Sequence, residues 1–352
     1  MLLHSSSKLI GSCNWRSYQM YTEQHKKTPE VDSIHNEISQ NLKEHLRQCI
    51  PNQLMKDVYE YCVLPPGKLF RPKLVYAIAK DLSKEANLQV TQNHQYLASF
   101  VEVHHAYTLV HDDLPCMDDD DFRRNKPSAH KAYGEWKALL AGDGLLNISY
   151  ELLSKVYSPH LNLILKIITR CLGPKGLIQG QVLDLSHETL KSFDSIKEVH
   201  ELKTARLIQV ALLTSYLVIE SPKDNLSFKY RISLELLKLG KAMGLAFQFI
   251  DDLSELTSEN LTKHELEINP WLNHSRKVLE ELSSNLIKIE NIIEKRKLYQ
   301  FDVTFKEYIF KMNKAITSNI GNILKNFEAH QKDKLQEKDL VPIMRLLQRI
   351  GQ

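Results

Sequence analysis

Three observations on this chain of 352 residues predict an all-α fold, one domain of long helices packed against one another. Glycine and proline, twelve of each, are scarce for the length, which disfavours a turn-rich sheet protein. From about residue 32 the apolar residues recur at helical spacing. The apolar stretches lack polar faces wide enough for solitary surface helices, so most must pack against one another.

The elements follow in order. "HNEISQNLKEHLRQCI" places Ile38, Leu42, His45 and Leu46 near one face. "RPKLVYAIAKDL" opens after the breakers "PPG", with Pro72 tolerated in a first helical turn. "HQYLASFVEVHHAYTLVHDD" runs without an internal glycine or proline. "GEWKALLAGDGLLNISYELLSKVY", "LNLILKIITRCLG", "SIKEVHELKTARLIQVALLTSYLVIE" and "YRISLELLKLGKAMGLAFQFIDDLSELTSE" read the same way. The segment from about residue 272 is amphipathic and highly charged, as outer helices are. Residues 32–352 are expected to form one domain, and residues 1–31 a disordered extension. That extension carries no acid before Glu23, a trace of transit-peptide character, but it is poor in arginine.

Composition excludes several classes. A hydrophobic fraction of 43% and a charged fraction of 25% are those of a globular protein. A net charge of +3 offers no support for nucleic-acid binding. Five scattered cysteines without a CxxC pair suit a reduced, cytoplasmic setting. "LIQVALLTSYLVI" is too short to span a bilayer and contains Gln209, so it reads as a buried helix.

Two acidic sets carry the chemistry. Asp112, Asp113 and Asp118 to Asp121 end an apolar helix, broken by Pro115. Two unit charges about 4 Å apart repel by roughly 4 kcal/mol at an effective dielectric of 20. Such a cluster is either splayed into water or neutralised, and hard divalent cations neutralise it best. Alone it reads as a solvated loop. The second set, in "FQFIDDLSE", changes that: Asp251 and Glu255 share a helix face, with Asp252 beside them. Two acidic helix ends can clamp one polyphosphate through Mg²⁺ and stabilise charge on a departing diphosphate. Cations complete the pattern: Lys68 and Arg71 at a helix start, Arg123 and Arg124 after the first set, and Lys203 with Thr204 in mid-helix. Singly these are surface charges; together they describe a site for two anions, one held through metal and one by bare cations.

Six segments in order, "GKLFRP", "HAYTLVHDDLPCMDDDDFRR", "AGDGLL", "GQVLDL", "KTARLI" and "GLAFQFIDD", resemble those of the trans-prenyl diphosphate synthases, most closely the bacterial-type farnesyl diphosphate synthases. The resemblance runs over roughly residues 37 to 255. It implies an isoprenoid synthase-type bundle of long helices around a central cavity, usually a homodimer, that joins isopentenyl diphosphate to dimethylallyl and then geranyl diphosphate. It further implies that Asp112, Asp113, Asp118, Asp251, Asp252 and Glu255 hold Mg²⁺, three ions in all, some recruited with the allylic diphosphate. Arg123 and Lys203 would grip that diphosphate, and Lys68, Arg71, His105 and Arg124 would hold isopentenyl diphosphate. The carbonyl of Lys203, the Thr204 hydroxyl and the Gln248 amide would offer dipoles to an allylic cation. Tyr107, five residues and about 7.5 Å along a helix from Asp112, would form the floor that limits chain length.

The chain departs from the pattern in places. Glu255 stands where the family usually has aspartate, and Asn125 replaces a glycine. The stretch "LTSENLTKHELEINPW" is shortened, with Lys263 as the replacement for a phosphate-binding lysine, and residues 285 to 335 are longer than the pattern needs. Arg345 and Arg349 are candidates for approaching the isopentenyl diphosphate. A longer-chain (geranylgeranyl) synthase, or a non-catalytic regulatory subunit, are the alternative readings.

Overall fold

A computed structural model of the chain describes residues 29–51, 54–83, 90–219 and 226–330, and the statements below concern these. The expected extension, residues 1–31, lies almost wholly outside them, as do Arg345 and Arg349. The elements are α1 (Pro29–Cys49), α2 (Lys56–Val63), α3 (Phe70–Leu82), α4 (Gln92–Asp112), a two-stranded hairpin of β1 (Phe122–Arg123) and β2 (Lys126–Pro127), α5 (Ala129–Tyr133), α6 (Glu135–Ser154), α7 (Leu161–Leu172), α8 (Leu177–Leu185) and α9 (Phe193–His200). A π-helical turn over Glu201–Ala205 then leads into α10 (Arg206–Leu217), followed by α11 (Leu226–Glu255), α12 (Lys263–Ile268), α13 (Pro270–Asn273), α14 (Ser275–Arg296), α15 (Tyr299–Ser318) and α16 (Ile320–His330). No helix among them is long and apolar enough to cross a membrane.

Every residue of α10 from Leu207 to Leu217 is buried, and its two sides feed two apolar cores. Ile208, Leu212 and Tyr216 join one core with α11, α14 and α15; Leu207, Val210 and Ala211 join the other with α1, α4 and α6. Helix α3 divides in the same way, with Leu74 and Ile78 on one side and Val75 and Tyr76 on the other. A helix apolar all round belongs in the centre, and α10 takes that place.

The charged segment after residue 272 is more than an outer shell. Val278, Leu282, Leu286 and Ile289 of α14 and Phe301 and Ile309 of α15 are fully buried in the first core. Its charges mark the outward faces only. Helix α16 also reaches back along the chain, where Asn326 donates to the carbonyls of Leu256 and Ser258, and Asn322 to that of Thr257. Helix α16 thereby holds the turn that follows the second acidic set.

Candidate active site

Both acidic sets lie at helix C-termini, the negative end of the macrodipole, where carboxylates are unfavourable. Asp112 is the last residue of α4 and Asp113 its cap; Asp251, Asp252 and Glu255 fill the last turn of α11, which contains no basic residue. After α4 the chain turns back, and the Asp118 amide donates to the Asp112 carbonyl at 2.9 Å. That turn sets Asp118 beside Asp112. Burial pushes Asp112 up to about 6, with added repulsion from Asp118 and Asp113 and relief from Lys203 and Arg123. Burial likewise raises Asp118 and Asp251. In the second set burial, then Glu255, lifts Asp252 well above the carboxylate range, and Asp252 Oδ2 is buried without a hydrogen-bond partner. Glu255 rises to about 7 through desolvation of its carboxyl and the neighbouring Asp251.

Asp184 joins the two sets, a role that the "GQVLDL" segment does not disclose in sequence. It accepts a 2.7 Å hydrogen bond from Lys203 Nζ. Its charge also raises both Asp118 of the first set and Asp252 of the second. Lys203 in turn lies within electrostatic reach of Asp112 and Asp118. These couplings, with the Lys203–Asp184 hydrogen bond, link Asp112, Asp118, Lys203, Asp184 and Asp252 into one acidic cluster.

The π-helical turn borders it. A π turn shifts the hydrogen-bond register by one residue and loosens the regular pairing of carbonyls. Here it spans Glu201–Ala205 and includes Lys203 and Thr204. The Thr204 hydroxyl donates to Gln248 Oε1 at 2.9 Å, and Gln248 Nε2 donates to Asp252 Oδ1 at 3.2 Å. Close packing fixes the turn: a methyl group on Gly180 would lie 2.5 Å from the Lys203 backbone nitrogen, and one on Gly244 would lie 2.3 Å from Ala205 Cβ. Helix periodicity continues through the segment, so nothing in the sequence marked the bulge.

A second, cationic cluster adjoins the acidic one. Arg71 Nη1 lies 3.2 Å from His105 Nε2, and because a guanidinium can only donate, His105 Nε2 accepts and its proton sits on Nδ1. Burial, then the surrounding arginines, hold His105 neutral. Arg124 donates to the buried Glu102 at 3.3 Å, and Arg71 Nε is buried without a partner. Lys68 Nζ stands 5.4 Å from the centre of the Tyr308 ring, which clusters with Phe70 at 4.2 Å and Phe247 at 4.9 Å. Lys68 also bears electrostatically on Asp251, which sets the cationic cluster beside the second acidic set. Glu102 was signalled by a lone charge inside an apolar run, three residues before His105. Tyr308 carried no signal, being more than two hundred residues away in sequence.

Other expected residues are placed differently. Arg123 is engaged by Asp113, with Nε at 2.8 Å from Oδ1, and by Asp120; Asp113 is almost fully buried beneath it. Lys263 is turned to solvent, 91% exposed, with Glu267 at 3.8 Å, and the fold does not bring it to the acidic cluster. A capping box between Thr262 and Glu265 starts α12 and sets that orientation. The shortened stretch instead supplies Asn269, which donates to the Asp252 carbonyl at 2.8 Å and to Glu255 Oε2 at 3.2 Å, closing the end of α11. Tyr107 is 6% exposed and meets the His104 ring edge-on at 4.6 Å.

Long helices that carry two acidic ends and an adjoining cationic cluster suit an all-α enzyme acting on phosphate esters. Residues 52–265 match the family model described as "Polyprenyl synthetase", and the chain belongs to that family of trans-prenyl diphosphate synthases and is a prenyltransferase. It is 31% identical over 296 residues to the farnesyl diphosphate synthase of Buchnera aphidicola subsp. Schizaphis graminum, covering 82% of this chain and 96% of that one. It is 32% identical over 214 residues to a chloroplastic heterodimeric geranylgeranyl pyrophosphate synthase large subunit of Arabidopsis thaliana, over 58% of this chain and 54% of the relative. The crystal structure of a geranyltransferase from Legionella pneumophila superposes with a TM-score of 0.66 at 26% identity, over 82% of this chain and 98% of the other.

Proposed function

We propose that the chain condenses isopentenyl diphosphate head to tail with dimethylallyl and then geranyl diphosphate, giving farnesyl diphosphate and diphosphate with Mg²⁺ as cofactor. The observation that carries this reading is the pairing of a carboxylate-rich cluster, with His200 Nε2 3.7 Å from Asp252 Oδ2 at its edge, and a separate arginine-rich cluster. One diphosphate needs metal and the other does not.

The donor set suits the metal. Its oxygens lie at two helix C-termini, several carboxyls are raised by burial and mutual repulsion, and Asp252 Oδ2 has no partner. Asp112, Asp118 and Asp251 would be the principal holders of Mg²⁺, with Asp113, Asp252 and Glu255 supporting them and three ions in all. When bound, Mg²⁺ draws charge onto the leaving diphosphate. Lys203 would grip the same diphosphate from the π turn, tethered by Asp184, and Arg123 from the loop. Arg71, His105, Arg124 and Lys68 would receive isopentenyl diphosphate, the unpartnered Arg71 Nε and the His105 Nδ1–H being donors ready for its oxygens. The Lys203 carbonyl and the Thr204–Gln248 pair would face the developing allylic cation. The departing diphosphate takes the proton, so no side-chain base is required.

Residues 32–352 would act as one domain. Trp136, Leu139 and Leu140 of α6 are 61%, 48% and 48% exposed at helical spacing, an apolar stripe suited to a homodimer. The free Cys49, Cys62, Cys116 and Cys171 suit a cytoplasmic location. Incubating the purified chain with Mg²⁺, isopentenyl diphosphate and each allylic primer, then sizing the dephosphorylated products, tests the proposal. Farnesol as the main product is expected; geranylgeraniol would favour the longer-chain reading, and no product with either primer would favour the non-catalytic one.

A further inference from the structure

We propose a second, nitrogen-containing cation site on the outer side of the first acidic loop, formed by Asp119, Asp121 and His130 and selective for a first-row transition ion such as Zn²⁺ or Mn²⁺. It is distinct from the diphosphate-facing carboxylates: Asp119 and Asp121 are exposed, and His130 belongs to α5.

The ligand atoms of these three residues all lie within 4.8 Å of one another. Clustered acids alone would be ordinary surface. His130 is the independent observation. It is more than nine-tenths buried, with 6% exposure, and its Nε2 is buried without a hydrogen-bond partner. The nearest carboxylate oxygen, Asp119 Oδ1, is 3.8 Å away, too far for a hydrogen bond. Two ligands of a tetrahedral ion, each about 2.0–2.1 Å from it, stand roughly 3.4 Å apart, so the exposed Asp119 and Asp121 side chains must swing inward to close on His130. On the far side of the ring, His130 Nδ1 and Ser128 Oγ are 3.0 Å apart. With Nδ1 donating to that hydroxyl, Nε2 presents its lone pair to the acids, the arrangement that supports histidine as a metal ligand. One imidazole and two carboxylates favour transition ions over Mg²⁺.

Lys131 occupies the acids at present, with Nζ 2.7 Å from Asp121 Oδ1 and 3.8 Å from Asp119 Oδ1. Its side chain is 43% exposed and can swing into solvent. Lys131 is therefore a competitor of the ion and not a ligand, and its removal must tighten binding. An ion here ties the loop carrying Asp118 and Arg123 to α5.

The experiment uses the full chain stripped of metal, titrated with Co²⁺ in excess Mg²⁺ to occupy the carboxylate cluster, and followed by ligand-field absorption; because His200 Nε2 lies 3.7 Å from Asp252 in that cluster, the Asp121 and Lys131 variants assign the signal. One equivalent of Co²⁺ with the spectrum of a low-symmetry nitrogen-and-oxygen site is expected. Asp121→Asn, at an exposed position, should weaken it at least roughly tenfold, and Lys131→Met should tighten it by roughly two- to fivefold. Absence of a Mg²⁺-resistant cobalt spectrum, equal affinity in Asp121→Asn, or unchanged or weaker affinity in Lys131→Met each overturns the proposal. Turnover is not read, so a failure here and a failure of the prenyl-transfer reading are distinguishable.

Discussion

The Tyr107 floor gives the sharpest test of product control. Tyr107 lies five residues before Asp112 on α4, a drop of about 7.5 Å from the acidic end of the helix. Its ring meets those of His104 at 4.6 Å and His111 at 5.9 Å, and burial pushes its phenol up to about 12, so it is neutral. Behind it lies a buried layer in which His104 Nδ1 is 3.1 Å from Ser149 Oγ and Tyr150 closes on His104. Tyr107→Ala removes the ring and opens space towards that layer. Truncating a buried aromatic costs about 3–5 kcal/mol, and under the proposed function the lower figure is expected, since the freed space would join that of the growing chain. The variant should remain folded by circular dichroism and make twenty-carbon or longer products as its main output, read by sizing the dephosphorylated alcohols. Tyr107→Phe should keep the fifteen-carbon product, since the floor needs the ring and not the hydroxyl. Farnesyl output from the alanine variant, or lengthening by the phenylalanine variant, would refute the argument.

Four further outcomes are expected. Asp112 titrates higher folded (about 6) than at its ordinary 3.8, so the folded metal-free protein binds more protons than the unfolded chain between those values. Stability of that form should therefore fall as pH rises through this window, by at most about 3 kcal/mol from Asp112. Added Mg²⁺ should raise the melting temperature more at about pH 7.5 than at about pH 5, and equal shifts at both would contradict it. Gly180→Ala should cost about 1–3 kcal/mol and depress kcat, because its methyl group would press on the Lys203 amide; wild-type kcat would show that the π turn is not needed. Glu102→Gln should raise KM for isopentenyl diphosphate more than for the allylic substrate, as Arg124 loses its buried anchor, and steady-state kinetics with each substrate varied will tell. Leu140→Glu should shift the chain towards monomer in sedimentation, if the α6 stripe is the dimer contact.

Helical spacing and composition were sufficient for the all-α class and for placing the acidic sets at helix ends, because both are local properties of a 3.6-residue repeat. Asp112, Asp118, Asp251 and Lys203 stood out as candidates because each sits in a short segment that resembles a family motif, and the roles proposed for them rest on that resemblance. Tertiary packing decided the rest. Asp184 acquires its meaning only when α8 closes on the π turn through Gly180, and Tyr308 only when α15 crosses α3 to stand under Lys68. Lys263 looked suitable by residue type, yet the capping of α12 turns it outward. The π turn is the clearest case, since an i→i+5 register differs from an α-helix by one residue and leaves no trace in apolar periodicity. What a residue is can be read along the chain; which charges share a cluster depends on contacts between segments far apart in sequence, and only the packed helices settle them.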